Sequence, residues 1–107
     1  MNNINEQWTD LCDAGELPDE GGLYVETGGR RFGVFRLPGD EVRVIDDTCP
    51  HAGASLSAGH VLGGCVLCPW HHWAFDVQTG KCPDNERIAV RVYRCRVRGR
   101  RVEAVIK

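Results

Sequence analysis

Glycine and proline break this chain at short, regular intervals, and that punctuation limits what it can become. Gly21-Gly22, Gly28-Gly29, Pro38-Gly39, Gly63-Gly64, Thr79-Gly80 and Gly99 leave little room for long helices. The stretches between them are short and rich in β-branched or alternating residues: 23–26, 31–37, 41–46, 65–67, 73–77, 88–97 and 101–106. In 88–92 the apolar Ile88, Val90 and Val92 alternate with Ala89 and Arg91, which turns one face inward. Short strands between regular turn signals predict an all-β sandwich or barrel. The one helical signal is weak: a single turn within residues 8–17, with Thr9 as its cap.

At 107 residues and 42% apolar composition, the chain is predicted to form one domain with a packed but modest core. Domains of this size often add a staple such as a metal. No apolar run approaches the 18 residues of a membrane span. The polar, acidic start lacks the pattern of a secretory signal, so the expected location is cytoplasmic, with reduced thiols. In that setting six cysteines point to metal or redox chemistry rather than to disulfides. Charge is unevenly distributed. Residues 1–50 carry eleven acids against four bases, and residues 51–107 carry four against nine. An acidic half can steer a basic redox partner, or simply form a solvated surface.

The interval 47–76 has few strand signals and contains every histidine, and long irregular loops in small domains are usually functional. Two clusters bracket it. Thr48-Cys49-Pro50-His51-Ala52-Gly53 gives C-x-H, and sixteen residues later Cys68-Pro69-Trp70-His71 gives C-x₂-H. Each cluster offers a thiolate and an imidazole, and each proline fixes one backbone dihedral of its loop. Two sulfur and two nitrogen donors suit a tetrahedral zinc site. They also suit a centre in which two cysteines hold one iron and two histidines the other, with two sulfides between. Zinc modules usually pair like ligands with like, whereas each loop here mixes the types, which favours a cluster with two unlike irons.

Cys49-Pro50-His51-x-Gly53, followed by Cys68-Pro69-Trp70-His71-x-Trp73-x-Phe75-Asp76-x-x-Thr79-Gly80, resembles the Rieske 2Fe–2S family. The similarity runs from Trp8 to Ile106. It includes the small bacterial ferredoxins of ring-hydroxylating oxygenases and the small subunits of assimilatory NAD(P)H nitrite reductases. The resemblance implies a Rieske-type antiparallel sandwich spanning residues 1–107, with a small cluster-binding subdomain at about residues 46–77. It implies one 2Fe–2S cluster per chain, with Cys49 and Cys68 on one iron and His51 and His71 on the other. His72 departs from the family's commonest pattern and is predicted, like His60, to lie at the surface. Trp70 and Trp73 are expected to cover the cluster with apolar surface.

High-potential relatives carry an extra cysteine pair and sulfur-facing hydroxyls. The matching positions here are Ala54, Trp70, Trp73 and Phe75, none of which supplies a thiol or hydroxyl. Fewer donors to the sulfurs stabilise the reduced state less, so the expected midpoint is at the low end of the Rieske range, roughly −150 mV. Cys65, Cys12, Cys82 and Cys95 read as small core residues, although Cys65 and Cys68 also form C-x₂-C. The arginine-rich 91–101 reads as the exposed face of a hairpin turning at Gly99, not as a nucleic-acid surface. No dinucleotide fingerprint and no separate mononuclear iron site are visible, so no catalytic site is expected on this chain. The expected role is a one-electron carrier. It would be loaded by a flavin-dependent reductase and discharge to a terminal oxygenase or to the large subunit of a nitrite reductase.

Overall fold

The computed structural model describes residues 7–50, 53–69 and 73–106. Among these, the chain forms short strands in antiparallel pairs: β1 (Thr9–Asp13), β2 (Gly22–Thr27), β3 (Arg30–Leu37), β4 (Glu41–Asp46), β5 (Val61–Leu62), β6 (Cys65–Leu67), β7 (Ala74–Asp76), β8 (Lys81–Cys82), β9 (Asn85–Ala89), β10 (Val92–Tyr93), β11 (Cys95–Arg98) and β12 (Arg101–Ala104). A central sheet runs β10-β4-β3-β2, a base sheet runs β1-β12-β11, a small sheet runs β5-β6-β7, and β8 pairs with β9.

Pleating explains the layers. Successive side chains of a strand leave opposite faces. Phe32, Val34, Val42 and Val44 therefore pack on one side of the central sheet, against Cys12, Val102 and Ala104 of the base sheet. Phe35, Leu37 and Ile45 pack on the other, against Leu56, Val66, Phe75 and Val77. Fully burying a phenylalanine such as Phe35 contributes on the order of 2 kcal/mol. Apolar residues at both parities of β3 thus anchor a core on each face, and the small sheet sits on one of them. Its β5–β6 turn uses Gly63 and Gly64 at φ +61° and +81°, the left-handed region that a tight two-residue hairpin requires.

Two expectations fail for non-local reasons. Residues 8–17 do not begin with a helical turn capped by Thr9. Thr9 lies in β1 opposite Ala104, because the free edge of β12 takes this segment as a strand. Only Ala14–Glu16 coils, as a 3₁₀ turn capped by Asp13, whose carboxylate accepts from Gly15 N at 2.7 Å while Glu16 accepts from Asp13 N at 2.9 Å. Residues 88–97 do not form one strand either. They divide among β9, β10 and β11, in three different sheets. The breaks are fixed by bonds to distant segments: Val90 N donates to Gly80 O, Asp46 N to Arg91 O, and Val105 N to Arg94 O.

The arginine-rich stretch does include the expected hairpin, β11–β12. Three of its cations meet acids, two of them from the first half of the chain. Arg101 grips Asp10 with contacts of 2.8 and 2.6 Å, Arg100 reaches Asp13 at 3.4 Å, and Arg96 pairs with Glu103 at 2.7 Å. Part of the charge asymmetry is therefore neutralised within the fold, although the solvent-facing Arg100 and Arg101 pairs add little stability.

Candidate metal centre

Cys49 and Cys68 each open a six-residue loop closed by the same bond. Cys49 N donates to Ala54 O at 2.8 Å, and Cys68 N donates to Trp73 O at 2.7 Å. The first loop is flanked by a bridge between Thr48 and Ser55, and Gly53 N returns to Cys49 O at 2.8 Å with Gly53 at φ +76°. The second loop caps the β6–β7 hairpin, whose last pair is Leu67 with Ala74. In both, an exposed proline, Pro50 or Pro69, follows the cysteine. The two thiols are 1% and 0% exposed and share one buried cluster with Phe35, Ile45, Leu56, Val66 and Phe75.

His51, His71, His72 and Trp70 lie outside the described residues. His60 is exposed, as expected, and its carbonyl accepts from Leu67 N at 2.8 Å. Trp73 is half-buried against the cysteine-bearing core, while Phe75 and Ala54 are buried in it. Sequence reasoning overlooked Asp47, which is buried directly after β4. It accepts from Ser57 N at 2.7 Å and from the Ser55 hydroxyl. The available signal was an aspartate directly before Thr48-Cys49 with two serines closely following.

The remaining thiols behave as packing residues, with one correction. Cys12 and Cys82 are buried, and Cys95 is half-buried with its thiol directed at Val42 O, 3.2 Å away. Cys65 is only half-buried, because the pleat of β6 sends Val66 into the core and Cys65 away from it. Burial pushes the Cys12 thiol up to about 11 and raises those of Cys65 and Cys95. Such thiols stay protonated at neutral pH and make poor nucleophiles.

Among the described residues no three metal-binding side chains come together, since two of the four predicted ligands lie outside them. What is described fits an iron–sulfur cluster: two thiols held by matched loops in a dry, apolar setting. The family model of the Rieske [2Fe-2S] domain matches residues 7–94. The chain belongs to the Rieske family. It is 38% identical over 100 residues to the ferredoxin subunit of anthranilate 1,2-dioxygenase from Burkholderia cepacia, covering 91% of this chain and 90% of that one. Among solved structures it resembles an NADH-dependent nitrite reductase small subunit from Mycobacterium tuberculosis, with TM-score 0.85, 29% identity and coverage of 95% and 96%. It equally resembles the ferredoxin of carbazole 1,9a-dioxygenase from Nocardioides aromaticivorans, with TM-score 0.85, 27% identity and coverage of 94% and 99%. Against the cholesterol 7-desaturase of Hemicentrotus pulcherrimus, 36% identical over 78 residues, the match spans 72% of this chain but only 17% of that protein. The Rieske-type antiparallel sandwich predicted from the sequence is the observed fold, and its cofactor is one [2Fe–2S] cluster. The chain is a Rieske-type electron carrier. No helix of the described residues is long and apolar enough to cross a membrane.

Proposed function

We propose that the chain accepts single electrons from a flavin-dependent reductase and delivers them to a terminal oxygenase, without a catalytic site of its own. Cys49 and Cys68 hold one iron and His51 and His71 the other, within a subdomain of residues 46–77. The observation that supports the ligand assignment is the pair of buried cysteines, Cys49 and Cys68, each opening a loop closed by the same backbone bond. The bound cluster supplies a one-electron couple. The chain fixes the two sulfurs with the Cys49–Ala54 and Cys68–Trp73 closures, and excludes water with Trp73, Phe75 and Leu56. Residues 48–75 contain no Asp, Glu, Lys or Arg, so the two loops themselves carry no carboxylate, ammonium or guanidinium. That suits a brief encounter by shape rather than a tight ionic complex. A cytoplasmic location belongs to the same proposal, because thiolate ligation requires reduced cysteines.

A second reading, the small subunit of an assimilatory nitrite reductase, is supported by the structural likeness reported above at nearly full coverage of both chains. Reconstitution separates the two. Electrons from NADH and a flavin reductase should pass through the protein to a ring-hydroxylating oxygenase, and a preference for a siroheme nitrite reductase would reverse the assignment. A colourless, zinc-loaded protein would overturn both.

The midpoint should fall at roughly −150 mV, the low end of the Rieske range. Ala54 and Phe75 pack in the same core as the two cysteines and have no hydroxyl or thiol to offer the sulfurs. A redox titration centred above zero would contradict this. His71→Cys should lower the potential further or lose the cluster, because a third thiolate makes the centre more negative. An intact cluster with an unchanged midpoint would remove His71 from the ligand set.

A further inference from the structure

Asp46, the last residue of β4, and Asp47, directly after it, serve opposite sides of the sheet. Asp46 accepts from the Tyr93 hydroxyl at 2.5 Å, on the base-sheet side. Asp47 is 2% exposed and turns toward the other core. Its Oδ1 accepts from Ser57 N at 2.7 Å, and its Oδ2 accepts from the Ser55 hydroxyl, which lies 3.0 Å from the Ser57 hydroxyl. Its main chain binds the same segment: Leu56 N donates to Asp47 O at 2.6 Å, while Asp47 N donates to Arg31 O at 3.1 Å. Opposite, β3 carries Gly33, and a Cβ there would stand 3.3 Å from Asp47 Oδ1. A Cβ at position 33 would press on the Phe35 ring at 3.0 Å as well as on the carboxylate, so Gly33 keeps both in place.

We propose that the Asp47 carboxylate is a positioning group for the cluster, clamping the two ends of the Cys49 loop through Ser55 and Ser57 and so fixing where the Cys49 sulfur stands. The inference rests on the cluster assignment proposed above. The bonds from Asp47 to Ser55, Leu56 and Ser57 all join the segment entering the loop to the segment leaving it. One residue must accept from a hydroxyl and an amide together, and a carboxylate offers two acceptors in that geometry. Residues that orient metal ligands without touching the metal typically alter its retention by on the order of tenfold or more.

The test compares wild type with Asp47→Ala, Asp47→Asn and Ser55→Ala, and with Val34→Ala on the core facing away from the loops. Iron and sulfide per chain, the rate of cluster bleaching by a ferrous chelator, the EPR g-values of the reduced protein and the melting temperature are measured for each. Asp47→Ala should bleach about tenfold faster with shifted g-values. Asp47→Asn should stay near wild type, because the amide oxygen keeps the Ser57 bond and the Ser55 hydroxyl can accept from the amide nitrogen. Ser55→Ala should fall between. Val34→Ala should lower the melting temperature yet keep the wild-type bleaching rate and spectrum. If Asp47→Ala does not fold, faster bleaching of Ser55→Ala beside a wild-type-like Asp47→Asn carries the proposal. Asp47→Ala or Ser55→Ala bleaching at the wild-type rate with wild-type g-values overturns it, as does equal acceleration by Val34→Ala. Wild-type protein without iron or sulfide overturns the cluster assignment itself, a separate result from a cluster-bearing wild type with an indifferent Asp47.

Discussion

Cys49→Ser should purify without colour, its iron and sulfide falling from about two of each per chain to near zero. Cys49 is buried at the first position of its loop and shares a core with Cys68, so the sulfurs of the two loops have a common dry setting. A serine oxygen is a hard, weakly acidic donor and a poor replacement for a thiolate on iron. It also leaves a hydroxyl among Leu56, Val66 and Phe75, where an unpaired polar group costs about 1–3 kcal/mol. The greater loss is the binding energy of the cluster, which in a small domain contributes directly to folding. The melting temperature should therefore fall steeply, and much of the protein should be insoluble. Cys95→Ser is the matched control. Cys95 packs against the base-sheet core, and its thiol points at Val42 O, which a serine hydroxyl can also reach. That variant should keep full iron content. Equal iron in both variants, measured by ferrous chelation alongside acid-labile sulfide, would remove Cys49 from the ligand set.

Gly59→Ala should cost about 3 kcal/mol and lower the melting temperature by on the order of 10 °C or more. The backbone at Gly59, φ −87° and ψ 171°, is one that alanine adopts freely, so strain is not the cause. A Cβ there would lie 1.9 Å from the Leu67 carbonyl oxygen, an impossible contact with backbone. Leu67 N is tied to His60 O, and Cys68 follows directly, so relieving the collision displaces the second cysteine loop. Iron content should drop together with stability. Gly28→Ala separates collision from strain: Gly28 sits at φ +61° with nothing near its absent side chain, and its loss should be only about 1–2 kcal/mol with iron retained. A thermal melt that ranks Gly28→Ala below Gly59→Ala would contradict the packing account.

Spacing alone singled out the two cysteine loops of the candidate site, while the histidines it also named, His51 and His71, lie outside the described residues. Cys49 and Cys68, each followed by proline and each near a histidine, announce a paired-loop centre because ligand type and turn chemistry are local properties. The structure adds that both loops are six residues long and closed by the same bond. It also supplies the Asp47 clamp, which unites residues eight and ten positions apart across a loop. The strands β2, β3, β4, β6 and β12 follow from alternation between glycine turns, although β3 hid its two buried faces. Two segments misled local reading: β1, claimed by the open edge of β12, and residues 88–97, shared among three sheets. Cys65 misled it too, since a strand's inward parity is decided by what lies beneath it.

By itself, the sequence determined an all-β chain with two cysteine–histidine loops, because turn residues, alternation and ligand spacing act over a few positions. Only the tertiary structure decided which edges pair, which cysteines face the core, how Asp10 and Asp13 meet Arg101 and Arg100, and what holds the Cys49 loop in place. Those outcomes depend on contacts between segments up to 91 residues apart. Their energies exist only once the layers have packed together, so no window of neighbouring residues carries them.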